Sequence, residues 1–293
     1  MKIIIIGADG QLGLDCTSIL AGEHNLILPT IAELDLCEES SLRGFISAHR
    51  PEVVINCAAY TAVDHCEKEL EICRRVNADG PGFLAKACGE TGSRLIHIST
   101  DYVFDGRKPI PHPYLEEDPV HPLSHYGRTK LDGERAVAAY GDDYAILRTA
   151  WLYSAGGPNF LKTMLRLSLA DPAATRRVVN DQYGSPTWSH TLARQISLLL
   201  TSEIQGVVHT TAEGYATWYE TACSFLEKME IEHNLAPCKT ADYPTPAHRP
   251  ANSILDNGVL NQHGLSLFVD WRDDLDTFVK RHGRQLLAEL GSI

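Results

Sequence analysis

The sequence predicts an α/β fold, a doubly wound parallel sheet with a smaller C-terminal lobe. Three observations predict it. Short apolar runs alternate with helix-like segments through the first half of the chain. A turn with evenly spaced glycines, Gly7-Ala8-Asp9-Gly10-Gln11-Leu12-Gly13, follows the first apolar run directly. Between the fourth and fifth runs stand Tyr126 and Lys130, four residues apart and therefore on one face of a helix.

Residues 3–6 are continuously apolar, as a strand buried on both faces of a parallel sheet must be. After Gly10 a helix is expected, with Leu12, Cys16, Ile19 and Leu20 on its buried side. Residues 26–28 read as a short second strand. Residues 41–50 read as a helix that Pro51 ends, and 53–56 as a third strand. Residues 70–88 are expected to be helical, with a boundary at Gly80-Pro81. Residues 95–98 form a fourth strand running into Ser99-Thr100-Asp101. Residues 144–147 form a fifth, running into Arg148-Thr149-Ala150-Trp151.

Strands alternating with helices imply right-handed βαβ units and a sheet covered on both faces. Ligands of such sheets bind at the carboxyl ends of the strands. Residues 7–13, 56–64, 99–105 and 149–153 all fall there. The second half is less regular. Helices are expected at 159–169, 191–200, 218–229 and 271–290, and short strands at 178–179 and 207–209. A proline-rich loop spans 243–250. Residues 1–150 are thus expected to form a Rossmann-type NAD(P)-binding domain. Residues 151–293 are expected to form a substrate-binding lobe, some of whose segments return to the sheet.

The net charge is −12, from 26 basic and 38 acidic residues, with no basic run. That composition excludes non-specific nucleic-acid binding but leaves room for an anionic small molecule in a local pocket. The eight cysteines form no CxxC and no zinc spacing, which fits reduced thiols in a cytoplasmic protein. The apolar start is too short for a signal peptide, and no apolar run can span a membrane.

In the glycine turn, Gly7 permits the tight bend. Gly10 and Gly13 let a dinucleotide pyrophosphate approach the helix N-terminus and let the helix pack on the strand; the alternative is a plain strand-to-helix turn. The end of the second strand should choose the coenzyme, an acid favouring NAD and an arginine NADP. Pro29-Thr30 stands there and leaves NADH and NADPH both open, while Asp35-Leu36 is placed to flank the adenine. A free tyrosine titrates near ~10, too high for efficient proton transfer at neutral pH. Lys130, one turn from Tyr126, is expected to lower that value and to bind the nicotinamide ribose. Thr100, at a strand end, either donates to a ketone oxygen gaining charge or bonds the backbone.

These residues resemble the extended short-chain dehydrogenase/reductase family over nearly the whole length. The Tyr126-Gly-Arg-Thr-Lys130 run is shared across the superfamily. The Asn56-Cys57 pair and the Ser99-Thr100-Asp101-Tyr102-Val103-Phe104-Asp105-Gly106 run match as well, and more specific are Ala58-Ala59-Tyr60-Thr61-Ala62-Val63-Asp64, Asn180-Asp181-Gln182-Tyr183-Gly184-Ser185-Pro186-Thr187 and Arg249-Pro250-Ala251-Asn252-Ser253. The resemblance implies reduction by NADH or NADPH of the C4 ketone of dTDP-4-dehydro-L-rhamnose, with Thr100, Tyr126 and Lys130 as the catalytic set. It implies that Gly7, Gly10, Gln11, Leu12, Gly13, Asp35, Leu36, Ala58, Ala59, Tyr60, Tyr126 and Lys130 hold the coenzyme. Thr61, Val63, Thr100, Asp101, Tyr102 and Trp151 would face the sugar nucleotide. Asn159 would meet the diphosphate or cap a helix, and Arg249 would meet the diphosphate or a surface acid.

Some members are magnesium-linked dimers. Asp15 fits the first metal position, but His190 occupies the second and the tail offers only Glu289, so no metal is expected. A monomer or homodimer is implied. The alternatives are a reductase or epimerase of another nucleotide sugar, and a non-catalytic cofactor-binding subunit like that of methionine adenosyltransferase.

Overall fold

A computed structural model describes residues 1–290. The first part runs β1 (Lys2–Ile6), α1 (Gln11–Leu20), β2 (Asn25–Ile27), α2 (Glu39–His49), β3 (Val53–Asn56), α3 (Val63–Cys66) and α4 (Leu70–Arg74). A π-helical turn at Arg75–Asp79 leads into α5 (Gly80–Thr91), β4 (Arg94–Thr100), α6 (His125–Tyr140) and β5 (Tyr144–Thr149). The remainder runs β6 (Leu152–Tyr153), α7 (Phe160–Ala170), β7 (Arg176–Val179), β8 (Tyr183–Gly184), β9 (Thr187–Trp188), α8 (Ser189–Leu199) and β10 (Gly206–His209). It ends with β11 (Ala216–Thr217), α9 (Trp218–Lys228), β12 (Leu235–Cys238), α10 (Gly258–Gln262) and α11 (Trp271–Leu290).

Six strands form one parallel sheet in the order β10-β5-β4-β3-β1-β2. β10 follows α8 and closes the sheet beside β5. The chain moves outward from β1 to β2, then crosses to β3 on the other side of β1. That reversal opens a crevice at the strand ends, where such folds bind ligands. The two sheet faces are apolar because β1 is buried from Ile3 to Ile6. Ile3, Ile5, Leu12, Cys16, Leu20, Leu192 and Ile196 pack on one face, under α1 and α8. Ile4, Ile6, Leu42, Ile46, Leu84 and Val137 pack on the other, under α2, α5 and α6. A separate core in the second half joins Tyr153, Leu165, Trp188, Phe225, Trp271 and Phe278.

The expected boundary at Gly80-Pro81 coincides with the start of α5 at Gly80, with Pro81 in its first turn. The π turn of Arg75–Asp79 joins α5 to α4. β4 and β5 extend two residues past their expected ends, to Thr100 and Thr149, because pairing continues through Thr100 opposite Thr149. Among the described residues, no helix is long and apolar enough to cross a membrane.

Candidate active site

A cleft of about 790 Å³ runs along the carboxyl ends of the sheet strands and under the second-half elements. Gly7, Gly10, Gln11, Leu12 and Gly13 form its floor at the start of α1. Gly7 has φ 75°. A Cβ on Gly13 would lie 2.1 Å from the Gly7 carbonyl oxygen, so no side chain fits where α1 crosses the turn. Gly10 caps α1 without any side-chain hydrogen bond, and no acid stands in the first turn. The positive end of the helix dipole and the N–H groups of the first turn therefore lie at the cleft without a side-chain cap, as a pyrophosphate requires, with Asp9 lining the cleft just before them. The residues present fit a dinucleotide.

Asp35 and Leu36 line the cleft beyond β2, and Ala58, Ala59, Tyr60, Thr61 and Val63 line it beyond β3. The π turn explains how the β3 segment is held. It projects Asn77 so that its Nδ2 donates to the Tyr60 carbonyl at 3.0 Å while its Oδ1 accepts from the Tyr60 N–H at 2.8 Å. Asn77 is fully buried and gives Tyr60 both backbone partners. Asn56 Oδ1 accepts from the Ala58 N–H at 3.2 Å, and Asn56 Nδ2 meets Nδ1 of buried His97 at 3.1 Å. Burial holds His97 well below its ordinary pKa. Asn77 carries no motif visible in the sequence, whereas Asn56 opens the 56–64 stretch expected at a strand end.

Thr100, Asp101, Tyr102, Tyr126 and Lys130 lie together in the cleft wall. Tyr126 opens α6, whose first turn is capped by Ser124 accepting from the Gly127 N–H at 3.1 Å. Its ring packs edge-on against Tyr102 at 5.5 Å. Lys130 is buried, and its Nζ donates to the Ile98 carbonyl at 2.6 Å. Burial lowers its pKa to about 8, with Glu134 acting the other way. The Tyr126 phenol is pushed up, not down: burial dominates, and hydrogen bonding to Thr100 only partly offsets it. Thr100 Oγ1 accepts from the Tyr102 N–H at 3.2 Å and donates to Asp101 Oδ1 at 3.0 Å, so it serves the backbone as well as facing the cleft. Burial raises the Asp101 carboxyl to about 6, against hydrogen bonds from Ser253 and Thr100. Behind this group, Glu134 receives Arg148 through two hydrogen bonds, at 2.7 and 2.9 Å, and also Ser99, which locks β4, β5 and α6 together.

Trp151 and Asn159 line the opposite wall. Asn159 does cap a helix, accepting from the Lys162 N–H at 3.0 Å, while its Nδ2 donates to Gln11 Oε1 at 3.1 Å across the cleft mouth. Trp151 has φ 48°, a strained value for a bulky side chain, and stacks flat on Trp218 at 3.6 Å. A Cβ on Gly184 would lie 2.4 Å from the Trp151 indole, which accounts for the glycine in the Asn180–Thr187 run. Trp218, Phe160, Pro186 and Thr221 complete this wall, and sequence reasoning missed them. The Thr217-x-x-Glu220 capping box beside Trp218 was the available signal.

Arg249 is not among the residues lining the cleft. Its Nη1 and Nη2 donate to Asp64 Oδ1 and Oδ2 at 3.1 and 2.8 Å, and Asp64 also accepts from the Ala247 N–H at 3.1 Å. The proline-rich loop is thereby clasped to the segment that carries Thr61 and Val63.

Asp15 accepts from Ser154 and Ser189, His190 meets Arg281 at 2.9 Å, and Glu289 pairs with Lys162 at 3.4 Å. Among the described residues no three His, Cys, Asp or Glu side chains cluster to hold a metal ion. Residues 291–293 of the tail lie outside the described residues.

Residues 1–284 match the family model of the RmlD substrate-binding domain. The dTDP-4-dehydrorhamnose reductase of Burkholderia thailandensis is 38% identical over 290 residues, spanning 93% of this chain and 96% of its own. The crystal structure of such a reductase from Clostridium acetobutylicum superposes with a TM-score of 0.92 at 39% identity, covering 96% of this chain and 99% of that one. That of the Bacillus anthracis reductase, in complex with NADP, gives 0.92 at 34% identity, covering 96% and 99%.

Proposed function

The chain belongs to the RmlD family, and from that premise we propose that it reduces the C4 ketone of dTDP-4-dehydro-L-rhamnose to dTDP-L-rhamnose with NADH or NADPH. The observation that carries the reading is one cleft in which an uncapped glycine turn and the Thr100, Tyr126, Lys130 group face a wall of stacked tryptophans.

Gly7, Gly10, Gln11, Leu12 and Gly13 would hold the pyrophosphate, and Asp35 and Leu36 the adenosine. Ala58, Ala59 and Tyr60 would line the path to the nicotinamide. When bound, the reduced nicotinamide supplies the hydride. Tyr126 gives its phenolic proton to the C4 oxygen as that oxygen gains charge. Its high pKa in the buried site keeps the phenol protonated until the acceptor becomes basic. Lys130, one helical turn from Tyr126 and with a pKa near 8, would bind the nicotinamide ribose and supply positive charge to the phenolate's surroundings. Thr100, whose hydroxyl proton otherwise goes to Asp101, would turn it to the same oxygen. Thr61, Val63, Asp101, Tyr102 and Trp151 would contact the sugar nucleotide, with Asn159 at the diphosphate. Arg249 would act by positioning, holding the loop against Asp64 rather than touching the ligand.

The test follows NADH and NADPH oxidation with substrate made in situ by the upstream dehydratase and epimerase. Oxidation that depends on both enzymes supports the reading. Coenzyme binding without such oxidation, or oxidation only with another nucleotide sugar, overturns it.

A further inference from the structure

Two cysteines that the proposed reaction does not use lie behind the catalytic tyrosine. Cys66 ends α3, and Cys73 lies in α4 after a short turn. Both are free thiols and fully buried, the Cys73 thiol donating to the Cys66 Sγ at 2.7 Å. Each sulfur also meets a part of the site. Cys66 Sγ donates to the Tyr60 carbonyl at 3.8 Å. Cys73 Sγ lies 3.3 Å from Thr129 Oγ1 on α6 and accepts from Asn77 Nδ2 at 3.4 Å. Cys66, Cys73 and Tyr126 form one buried cluster, with Tyr60, Val63 and Tyr102 packed against it. Those last three and Tyr126 also line the cleft, so one layer of side chains stands between the sulfurs and the coenzyme path.

We propose that Cys66 and Cys73 are a redox modification site, at which a peroxide joins them as a disulfide and the new bond slows turnover. The Cys73 thiolate attacks one peroxide oxygen and breaks the O–O bond. The other oxygen leaves as hydroxide, takes up the thiol proton and becomes water, and Cys73 is left as a sulfenic acid. The Cys66 sulfur then attacks the Cys73 sulfur, and a second water leaves with the Cys66 proton. Two thiols thus lose two electrons and two protons, and one peroxide becomes two waters. Burial raises the Cys66 thiol, so it stays protonated while Cys73, which receives the Asn77 amide, reacts first. Forming the bond draws the sulfurs from 2.7 Å to about 2.05 Å and pulls α3 toward α4. The segment carrying Tyr60, Thr61 and Val63 runs directly into α3 and moves with it. Cys73 can no longer donate to Thr129, one turn from Tyr126 on α6. The bond itself is independent of the substrate reading; its effect on turnover rests on that reading.

Peptide mapping beside kinetics tests it on the whole protein. The chain is treated with hydrogen peroxide, its remaining thiols are blocked, and it is digested with trypsin. Lys68 lies between the two cysteines, so the disulfide is read as a joined pair of peptides. The expected result is that joined pair, with turnover lowered about tenfold or more, the scale of a sub-ångström shift of a catalytic group, and restored by dithiothreitol. Cys66→Ser and Cys73→Ser should match the parent before treatment and keep their rate after it. Cys66→Ala and Cys73→Ala repeat the test without placing a hydroxyl in the core. Absence of the joined pair overturns the proposal. So does undiminished turnover with the pair formed, or an equal loss in all four variants, which would place the damage at another thiol. A joined pair in a chain that, when reduced, turns over no dTDP-4-dehydro-L-rhamnose would sink the substrate reading and leave the modification site standing.

Discussion

The two walls of the cleft are built by different means. The sheet wall is made of short contiguous runs at strand ends, the glycine turn and residues 58–61 and 98–102, with Tyr126 and Lys130 one helical turn apart on α6. The opposite wall joins Trp151, Asn159, Pro186 and Trp218 from four separate segments. Its arrangement depends on contacts far apart in sequence, such as Gly184 beneath Trp151 and Trp151 stacked on Trp218. Recognition of a feature common to many ligands needs only local geometry, whereas recognition of one sugar nucleotide needs a shape that several segments share.

If the walls are separable, changes in one should leave the other's ligand unaffected. Tyr126→Phe has the largest expected effect, a loss of turnover of about a thousandfold with coenzyme binding little changed, read by steady-state kinetics beside fluorescence titration. Substantial remaining turnover would remove Tyr126 from the proton step. Asp101 comes next and concerns stability. Its folded-state pKa is about 6, against about 4 in an unfolded chain. Between those values the native state binds more protons than the unfolded one, so stability falls as pH rises through the window, by about 3 kcal/mol in total. Asp101→Asn removes the titration. Urea midpoints measured on both proteins across the window should diverge as pH rises, the variant becoming the more stable; parallel curves would contradict the burial argument.

Gly13→Ala places a Cβ where only 2.1 Å is free. A strain of about 1–3 kcal/mol should lower the melting temperature and weaken coenzyme binding together. Trp218→Ala should do the reverse to the specific wall, raising the sugar-nucleotide KM about tenfold, the worth of one lost aromatic contact, while the NADH Kd holds. A shift in the NADH Kd of similar size would show that the walls are coupled. The smallest effect is expected from Arg249→Lys, which keeps the charge on Asp64 but loses the two-pronged geometry. KM should rise about threefold to tenfold, within the range of one weakened ion pair, with kcat and the pH profile unchanged. A change in kcat without one in KM would argue for direct participation in catalysis.

Legibility in the sequence follows the same division. β1, β3, α1 and the Tyr126, Lys130 pair were visible because a buried parallel strand and a helix face each leave a local pattern. Asn77 was hidden because its importance comes from a π turn that no apolar periodicity announces. The direction of the Tyr126 shift was also hidden: a lysine one turn away suggested a lowered value, but burial raises it once α6 packs against β4. Arg249 was left between two partners by the sequence, and folding brought Asp64 within reach.

By itself, the sequence determined the parallel sheet, the glycine turn and the order of the catalytic group along the chain. These rest on side-chain period, on the conformational freedom of glycine and on spacing within one helical turn, all properties of neighbours. Only the tertiary structure decided which aromatic rings line the opposite wall and what Arg249 holds. Those depend on desolvation and on distances between segments, and neither exists until the chain has closed on itself.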